Sequence, residues 1–375
     1  MSRSSQSFGN VEFGISLFYQ GLSLIAPIYI LEAMKILAIE SSCDETAAAV
    51  IADGRKVLSS VIASQIDIHA QFGGVVPEVA ARSHIEVVIP VIEQALREAS
   101  TDWNDIDAIA VTRGPGLIGS LLIGTLTAQT LAELKHKPLI GVNHIVAHAF
   151  AANLTDTPPS FPMLALTVSG GHTALTLYQD DLSAEIVGET QDDAAGEAFD
   201  KVAKLLGLPY PGGPAVSKVA ADGNDTAYPF PHAKLRNPLD FSFSGLKTAV
   251  LRQVQQITGV NPGDLTIPKS YELEPQVLAD IAASFEKTVV DTLVKNTKLA
   301  IEQYQPASVV VGGGVAANKR LREELSQAVP GAIFVPPVLC TDNAAMIGAL
   351  AYQMQKRGRV TSPFELKADS SLEVL

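Results

Sequence analysis

The chain has few cysteines and few basic residues. Only two cysteines, Cys43 and Cys340, occur among 375 residues, and they lie far apart in the sequence. This count argues against a disulfide scaffold and is typical of a reduced, cytoplasmic compartment. There are 27 Lys and Arg against 40 Asp and Glu, so the net charge is −13. Because avid binding to nucleic acid needs clustered basic residues, we expect such binding only through a local basic patch or a basic partner.

The first 33 residues differ in character from the rest of the chain. The run 14–31 carries no charged residue and reaches the length of a membrane span, although Gln20 and Pro27 weaken that interpretation. Met34 directly precedes a run typical of a strand. Residues 1–33 are therefore predicted to be an extension ahead of the main domain, from an upstream start codon or, as the alternative, a membrane anchor. We expect no stable membrane association.

The length and the 47% hydrophobic content predict a sizeable core, divided between two domains. From Met34 onward strands and helices alternate, which indicates the α/β class. Residues 35–51 and 164–178 share one pattern: an apolar strand, a turn of small and hydroxyl residues, and a second apolar strand. Two such hairpins predict duplicated lobes that face each other across a cleft. The alternative is a chance likeness between two ordinary hairpins.

A glycine-rich turn, 113–119, lies between a predicted strand, 108–112, and a predicted helix, 120–134. It matches the spacing G-x-G-x-x-G literally. A dinucleotide site would also need an acidic residue at the end of the next strand, where Asn143 stands. Tight packing is the better explanation of these glycines. A further helix is predicted over 83–100.

Two histidines, His144 and His148, are one helical turn apart, which places them about 6 Å from each other on one face. That spacing lets both imidazoles hold one metal ion. A metallopeptidase helix would carry glutamate beside the first histidine, but Ile145 takes that place. The best third ligand is Asp342, which precedes a predicted helix over 343–354. Its alternative role is that of a helix N-cap.

Several turns carry groups suited to a nucleotide. Asp44 and Glu45, in the turn of the first hairpin, could position a metal, a water or an attacking amine, or form an ordinary turn. The segment 169–172 of the second hairpin lets backbone N–H groups approach a phosphate. Asp200 could accept hydrogen bonds from ribose hydroxyls, or lie on a solvated helix beside a Glu197–Lys201 pair. Further glycine-rich loops occur at 210–214 and 312–314, the second of them ahead of a helix N-terminus.

Taken together, motifs in a fixed order resemble one family. From Met34 to about Tyr352 the chain is similar to the TsaD (Gcp or OSGEP-like) family of tRNA threonylcarbamoyladenosine transferases. The motifs are SSCDET at 41–46, RGPGL at 113–117, NHIVAH at 143–148, VSGGH at 168–172, GEAFDK at 196–201, YPGGP at 210–214, DFSFSGLKT at 240–248, GGGVAAN at 312–318 and TDNAAMIG at 341–348. The resemblance implies two duplicated actin-like lobes (the ASKHA, RNase H-like fold) with a nucleotide and metal cleft between them.

The resemblance also implies roles for individual residues. One divalent metal ion, Fe²⁺ first and Zn²⁺ as the alternative, would be held by His144, His148 and Asp342. Asp44 is associated with catalysis, with Glu45 beside it. The substrate adenylate would contact Thr167, Val168, Ser169, Gly170, Gly171, Asp200, Gly213 and Asn318. Some family members carry an acidic contact where this chain has Ser217, so the resemblance does not decide whether Ser217 replaces that contact.

The implied lobes are 34–142 plus 325–360 for the N-terminal lobe and 143–324 for the C-terminal lobe, with a tail at 361–375. The implied reaction moves a threonylcarbamoyl group from threonylcarbamoyl-adenylate to the exocyclic amine of the adenosine 3′ of the anticodon, in tRNAs that read codons starting with adenine, with release of AMP. The implied partners are a paralogous TsaB-like subunit and a TsaE-like small ATPase in the cytoplasm.

Basic residues that could dock tRNA are Lys234, Arg236 and Lys247. Two alternative activities stay open. An ATPase or phosphotransferase of the same fold would use Mg²⁺ held by carboxylates, and a metallopeptidase would need the glutamate that position 145 lacks.

Overall fold

A five-stranded mixed sheet forms the first half of the fold. In the computed structural model, which describes residues 33–180, 183–261 and 273–374, its strand order is β3-β2-β1-β4-β5. β1 pairs antiparallel with β2 and parallel with β4. Every β1 residue after the first is buried, as expected for a central strand covered on both faces. The strands are β1 (Lys35–Glu40), β2 (Glu45–Ala52), β3 (Lys56–Ser64), β4 (Ala108–Gly114) and β5 (Leu139–Asn143).

A second sheet repeats this topology. Its order is β10-β9-β6-β7-β8, so the first strand of each set again lies between an antiparallel second strand and a parallel fourth strand. The predicted duplication, and with it the predicted fold class, is confirmed. The strands are β6 (Met163–Val168), β7 (Thr173–Tyr178), β8 (Ala184–Glu189), β9 (Ser308–Gly312) and β10 (Ile333–Phe334).

Eleven α-helices occur among the described residues, together with 3₁₀ turns at Trp103–Asp105, Ala151–Leu154 and Gly314–Ala317. The helices are α1 (Ile66–Ala70), α2 (Pro77–Glu98), α3 (Ile118–Lys135), α4 (His144–Phe150), α5 (Ala195–Leu205), α6 (Gly212–Ala220), α7 (Ser244–Thr258), α8 (Pro275–Tyr304), α9 (Lys319–Ala328), α10 (Pro337–Cys340) and α11 (Ala344–Lys356).

One predicted helix boundary was wrong. The helix expected over 83–100 begins six residues earlier, at Pro77. Proline is favoured at the first position of a helix, because its missing N–H would have no intrahelical partner there. The uncharged run 14–31 lies outside the described residues, so the structure does not bear on it. Within the described ranges, no helix combines the length and the apolar character that crossing a membrane requires.

Helices cover both faces of the first sheet. α2 and α3 bury the face that carries Leu37 and Ile39. The opposite face packs against α11, whose first eight residues are all buried. α11 also contacts α4, and α4 contacts β6 and β9 of the second sheet. α4 and α11 are therefore the helices at which the two lobes meet, which matters because the candidate metal ligands lie on or beside them.

The C-terminal segment of the described residues packs along the edge of the first sheet. The backbone N–H of Thr361 donates to the carbonyl of Leu139 at 2.8 Å. Leu366 belongs to the core of this lobe and is 4% exposed. The side-chain amide of Asn143 donates to the carbonyl of Glu373 at 2.8 Å. The predicted division of the chain between the two lobes stays a prediction. Near the C-terminal end of the chain, β10 pairs within the second sheet, whereas α11 packs on the first sheet.

Replacing Gly348 by alanine tests the close packing of α11. A Cβ atom there would lie 2.6 Å from Ile51 Cγ1 and 3.1 Å from Ile51 Cβ, so one of the two elements must shift. We expect the free energy of unfolding, measured by urea denaturation, to fall by about 1–3 kcal/mol, the usual cost of overpacking a core.

Gly245→Ala is the matched control, since α7 leaves open space around a Cβ at that position. Alanine has the higher helix propensity, so this variant should be at least as stable as the unmodified protein. Equal stability of the two variants would contradict the close packing of α11 on β2.

Candidate metal and nucleotide site

The two histidines are held by the cap of a short helix. α4 follows β5 directly, and the side chain of Asn143 accepts hydrogen bonds from the backbone N–H groups of Ile145 and Val146 at 2.9 and 3.2 Å. An asparagine cap of this kind fixes the first turn of a helix. His144 and His148 therefore lie on one face, with ring centroids 4.7 Å apart, and both are buried.

Asp342 approaches the histidines from the turn before α11. The N-cap of α11 is Asn343, whose side chain accepts from the N–H of Met346 at 3.1 Å. The alternative role of Asp342 as the cap was therefore wrong, and its carboxylate is available to the histidines. Its Oδ1 atom lies 3.5 Å from Nε2 of His144 and 3.2 Å from Nε2 of His148. The possible ligand atoms of the three residues all lie within 4.8 Å of one another.

The chemistry of these three side chains fits a divalent metal. Both ring nitrogens of His148 are buried and lack a hydrogen-bond partner among the described residues, although Nε2 is close to Asp342. An unpaired buried polar group costs about 1–3 kcal/mol, which coordination of an ion would offset. Two imidazoles with one carboxylate suit iron or zinc better than magnesium. Although burial opposes ionisation, the imidazoles hold the pKa of Asp342 well below its usual range, so the carboxylate is charged as a ligand must be.

A buried glutamate that sequence reasoning missed supports His144. Oε2 of Glu40, at the end of β1, lies 3.0 Å from Nδ1 of His144 and accepts from Thr112 Oγ1 at 2.6 Å. Burial alone would raise the pKa of Glu40, but the neighbouring His144 lowers it, so the carboxylate accepts. Glu40 thereby holds a proton on Nδ1 of His144, so Nε2, which faces Asp342, is the ring atom that would bind a metal in exchange for its own proton. The available signal was a charged residue ending an otherwise apolar strand.

The loop that carries Asp44 is fixed by α2 and α3. Nε2 of His84 donates to the carbonyl of Cys43 at 3.0 Å, and its Nδ1 lies 2.7 Å from Thr46 Oγ1. Burial lowers the pKa of His84, which keeps the ring neutral with one donor and one acceptor. Ser120 Oγ donates to the same Cys43 carbonyl at 3.0 Å. These contacts fix the loop around Asp44, which is 7% exposed.

Glu45, the second residue assigned to catalysis from the sequence, lies in a buried environment. Burial raises the pKa of Glu45 to about 9, and the charges of Asp342 and Asp44 act in the same direction. At neutral pH its carboxyl group is therefore protonated and can donate a hydrogen bond but not accept a proton. Of the two residues assigned to catalysis from the sequence, Asp44 is the one left to act as a base.

The glycine-rich turn packs against this loop. A Cβ at Gly116, where φ is +159°, would lie 2.5 Å from the carbonyl oxygen of Ser42. On α3, a Cβ at Gly124 would lie 2.2 Å from Oγ of Ser41. The prediction that these glycines serve tight packing is confirmed.

Across the cleft, the second hairpin supplies an open turn. The Ser169 N–H donates to the carbonyl of His172 at 2.8 Å, and the Ser169 hydroxyl accepts from the His172 N–H at 3.2 Å. Gly170 and Gly171 are exposed and have open space where a Cβ would project. Thr167 and Val168 are buried in β6 just before this turn. Backbone N–H groups at this turn are accessible to an anion.

His172 ends this turn close enough to the candidate metal ligands for their charges to act on it. Burial lowers the pKa of His172 to about 4, and the charges of His144 and His148 act in the same direction. At neutral pH the ring is therefore uncharged, so it brings a neutral donor and acceptor near the ligands without adding charge.

The other predicted nucleotide residues lie on helices of the second lobe, with Asp200 in the middle of α5 and the other two at helix starts. Oδ1 of Asp200 accepts from the N–H of Gly212 at 2.7 Å, which fixes the start of α6 against α5, and Gly213 follows with open space around it. Burial raises the pKa of Asp200, and the charge of Asp44 adds to the effect. Asp44 of the first lobe is thus close enough to Asp200 of the second for their charges to interact. Asn318 caps α9 by accepting from Leu321 N at 2.9 Å.

The predicted tRNA-docking residues lie on α7 or on the segment before it. Lys234 and Arg236 are exposed between α6 and α7, and Lys247 is half-buried in α7. The roles of all the site residues stay predictions, as do those of the docking residues.

The fold and the cleft together define an actin-like α/β protein with a candidate His–His–Asp metal site where α4 and the start of α11 meet. The structure of full-length HypF in a phosphate- and nucleotide-bound form has a TM-score of 0.57, with 15% identity over 88% of this chain and 48% of that one. HypF from T. kodakarensis gives 0.56, with 14% identity and the same coverages. At such low identity, these likenesses show the fold alone.

Sequence relatives identify the family. Residues 56–349 match the model described as TsaD: tRNA N6-adenosine threonylcarbamoyltransferase. A protein of that name from Symbiobacterium thermophilum is 52% identical over 327 residues, covering 86% of this chain and 92% of that protein. Another from Clostridium novyi is 50% identical over 347 residues, covering 91% and 98%. The chain belongs to the TsaD family and is a transferase of tRNA modification.

Glu40→Gln tests the support of the metal ligand. The amide keeps the size of the side chain but removes the charge that holds Nδ1–H of His144. We expect affinity for Zn²⁺ or Fe²⁺, measured by competition with a chelator, to fall about 10–100-fold, as for other supporting partners of metal ligands.

Glu86→Gln, at an exposed position of α2, is the matched control and should bind metal normally. If both variants retained metal equally, Glu40 would have no part in the site.

Proposed function

We propose that this protein transfers the threonylcarbamoyl group of threonylcarbamoyl-adenylate to the exocyclic amine of the adenosine 3′ of the anticodon, in tRNAs that read codons starting with adenine. The observation that carries the proposal is the His144–His148–Asp342 cluster, with its ligand atoms within 4.8 Å of one another. The Asp44 loop and the open glycine turn lie beside it on opposite lobes. An acyl phosphate donor needs both an anion-binding turn and a base, and the cleft offers both.

The metal ion would be held by His144, His148 and Asp342, with Fe²⁺ preferred and Zn²⁺ as the alternative. When bound, it supplies a Lewis acid that stabilises negative charge on the donor. The open turn at Gly170 and Gly171 would bind the donor's phosphate through backbone N–H groups.

The transfer is a direct displacement that needs no covalent enzyme intermediate. The amine nitrogen of the adenosine attacks the carbamoyl carbon, and a new carbon–nitrogen bond forms. The bond from that carbon to the phosphate oxygen breaks, and AMP leaves with the electron pair. Asp44 accepts the proton lost by the amine, because its carboxylate is fixed by the surrounding loop. The neutral carboxyl of Glu45 donates a hydrogen bond to orient the reacting groups.

Binding of tRNA would need more than the overall charge of this chain, which is negative. With a net charge of −13, binding to a polyanion depends on a local patch, for which Lys234, Arg236 and Lys247 are the candidates. A TsaB-like paralogue and a TsaE-like ATPase would supply the rest of the assembly in the cytoplasm.

An apolar surface on α2 and α3 supports a protein partner. Five large side chains at helical spacing are between 42% and 61% exposed, and the two helices are neighbours, so the side chains form one surface. Its members are Ile85, Ile89, Ile118, Leu122 and Leu126. We assign this apolar surface to the TsaB-like subunit.

The transfer reaction itself is the direct test. The chain, with its partner proteins, is incubated with threonylcarbamoyl-adenylate and tRNA, and the digested tRNA is analysed by mass spectrometry. We expect modified adenosine and an equal amount of AMP. ADP formed from ATP without modified tRNA would favour the phosphotransferase alternative, and absence of both modified tRNA and AMP would contradict the proposal.

Two substitutions assign the roles within that reaction. Asp44→Asn should lower kcat by about 10²–10⁴-fold, the usual contribution of a general base, while the exposed Asp67→Asn leaves it unchanged. His148→Ala should remove both metal and transfer. A His148→Ala protein that loses its metal yet transfers at the normal rate would rule out a role for the ion.

Leu122→Glu tests the assigned apolar surface. A charge in its centre should prevent complex formation with the TsaB-like subunit, as followed by size-exclusion chromatography, because a buried unpaired charge is costly. Ile257→Glu, at a 40% exposed position on α7, is the control and should leave the complex intact. Normal assembly of the Leu122→Glu protein would exclude this surface as the interface.

A further inference from the structure

A short loop of the first lobe presents one aromatic side chain to solvent. The loop, residues 71–76, connects α1 to α2, and Phe72 within it is 56% exposed. Gly73 follows at a φ of +69°, in the left-handed region that favours glycine, so the chain turns sharply directly after Phe72. We refer to residues 71–76 as the Phe72 loop.

Hydrogen bonds to the buried His69 fix this loop at both ends. The carbonyl of His69 accepts from the N–H groups of Phe72 and Gly74, at 3.0 and 3.3 Å. The ring of His69 accepts at Nδ1 from the N–H of Val76 at 3.3 Å. Its Nε2 atom then carries the proton and lies 3.2 Å from Oε1 of Gln65. Phe72 is therefore exposed on a pre-organised loop, which lowers the entropic cost of binding a ligand.

The Phe72 loop adjoins the loop that carries Asp44. The N–H of Gln65, the residue before α1, donates to the carbonyl of Asp44 at 3.1 Å. α1 has only five residues, which at a rise of 1.5 Å per residue separates its ends by about 7 Å. The Phe72 loop therefore lies at the edge of the cleft, close to the residue that we propose as the base.

A cation of the second lobe lies beside the same loop. Nζ of Lys204, in the last turn of α5, lies 3.9 Å from the position that a Cβ atom of Gly73 would take. Lys204 is exposed, and no carboxylate pairs with it within the described part of the chain, whereas Lys201 pairs with Asp193. Lys204 comes one helical turn after Asp200, so both lie on one face of α5. The two lobes thus place an exposed aromatic residue and an unpaired cation next to each other.

This combination is typical of sites that bind single-stranded nucleic acid. The aromatic ring stacks on an unpaired base, and the cation contacts a phosphate of the same strand. The chain belongs to a family of tRNA-modifying transferases, yet its net charge is −13, so it needs local contacts of this kind to hold a polyanion. A protein partner would cover a larger apolar area than a single ring.

We propose that Phe72 stacks on an unpaired base of the tRNA where the strand enters the cleft, and that Lys204 contacts a phosphate of that strand. The identity of the base rests on the proposed function: it belongs to a nucleotide next to the acceptor adenosine, because the Phe72 loop adjoins Asp44. Stacking at this position holds the strand so that the acceptor amine reaches the proposed base.

Phe72→Ala tests the stacking contact. With the partner proteins present, we expect the Kd for tRNA, measured by filter binding, to rise about 5–100-fold, the usual contribution of one stacked base. Affinity for metal and the KM for the donor should stay within about twofold, because Phe72 belongs to neither of those sites. Phe364→Ala, at an 82% exposed position of the C-terminal segment, is the matched control and should bind tRNA normally.

Other side chains at position 72 separate stacking from simple apolar contact. Phe72→Tyr and Phe72→Trp should keep the Kd for tRNA within about threefold, whereas Phe72→Leu should behave like Phe72→Ala, because leucine is apolar but cannot stack. Normal tRNA binding by Phe72→Ala would overturn the proposal, and so would equal binding by the leucine and tryptophan variants. A Phe72→Ala protein that assembles poorly with its partners but binds tRNA normally would assign the ring to a protein contact instead.

Lys204→Ala tests the phosphate contact through its dependence on salt. We expect weaker binding of tRNA and a slope of log Kd against log salt concentration that is smaller by about one, the value for loss of a single phosphate contact. Lys56→Ala is the matched control, since Lys56 is exposed at the end of β3 opposite to the Asp44 loop. An unchanged slope for Lys204→Ala would contradict the assigned phosphate contact.

These binding measurements need neither the donor nor the transfer, so they distinguish this proposal from the proposed function. If transfer is not observed but the Phe72 and Lys204 variants lose tRNA affinity as expected, the reaction is wrong and the RNA contact stands. If transfer is observed and both variants bind tRNA normally, the RNA contact is wrong and the reaction stands.

Discussion

The buried carboxylate of Glu40 connects the parts of the molecule on which the cleft depends. It ends the central strand of the first sheet, and it bonds to the side chain of Thr112 on β4, the backbone of Ser42 in the Asp44 loop and the ring of His144 on α4. A charge without solvent contact is tolerated only because each of these donors satisfies it. Any rotation of His144 would leave Glu40 short of a partner, so the tautomer and the direction of the ring are fixed together.

The position of Asp342, the third candidate metal ligand, depends on a different constraint, the packing of α11. Its alanines and Gly348 allow the helix to lie directly on β1 and β2, and this depth brings the preceding Asp342 to the start of α4. α4 in turn packs against the second sheet, where Gly312 leaves room for the backbone of His148. The candidate metal ligands, the Asp44 loop and the glycine turn therefore keep one arrangement as long as both lobes pack on these two helices.

The sequence predicts the local features of this protein well. The sequence pattern of the two hairpins is typical of strands, and the two histidines repeat at helical spacing. The family motif predicts Asp342 as the third ligand. Glu40 and His84 could not be found this way. Each bonds to at least one residue that is 38 or more positions away, and only the fold brings these residues together. Single charged or polar residues in apolar strands and helices were the sole local signal.

The most direct measurement is anomalous X-ray scattering at the iron and zinc absorption edges from crystals of the active protein. A single peak is predicted, with metal–ligand distances of about 2.0–2.2 Å to Nε2 of His144, Nε2 of His148 and a carboxylate oxygen of Asp342. A peak at other residues, or active protein without a peak at this cluster, would contradict the assignment of the cleft.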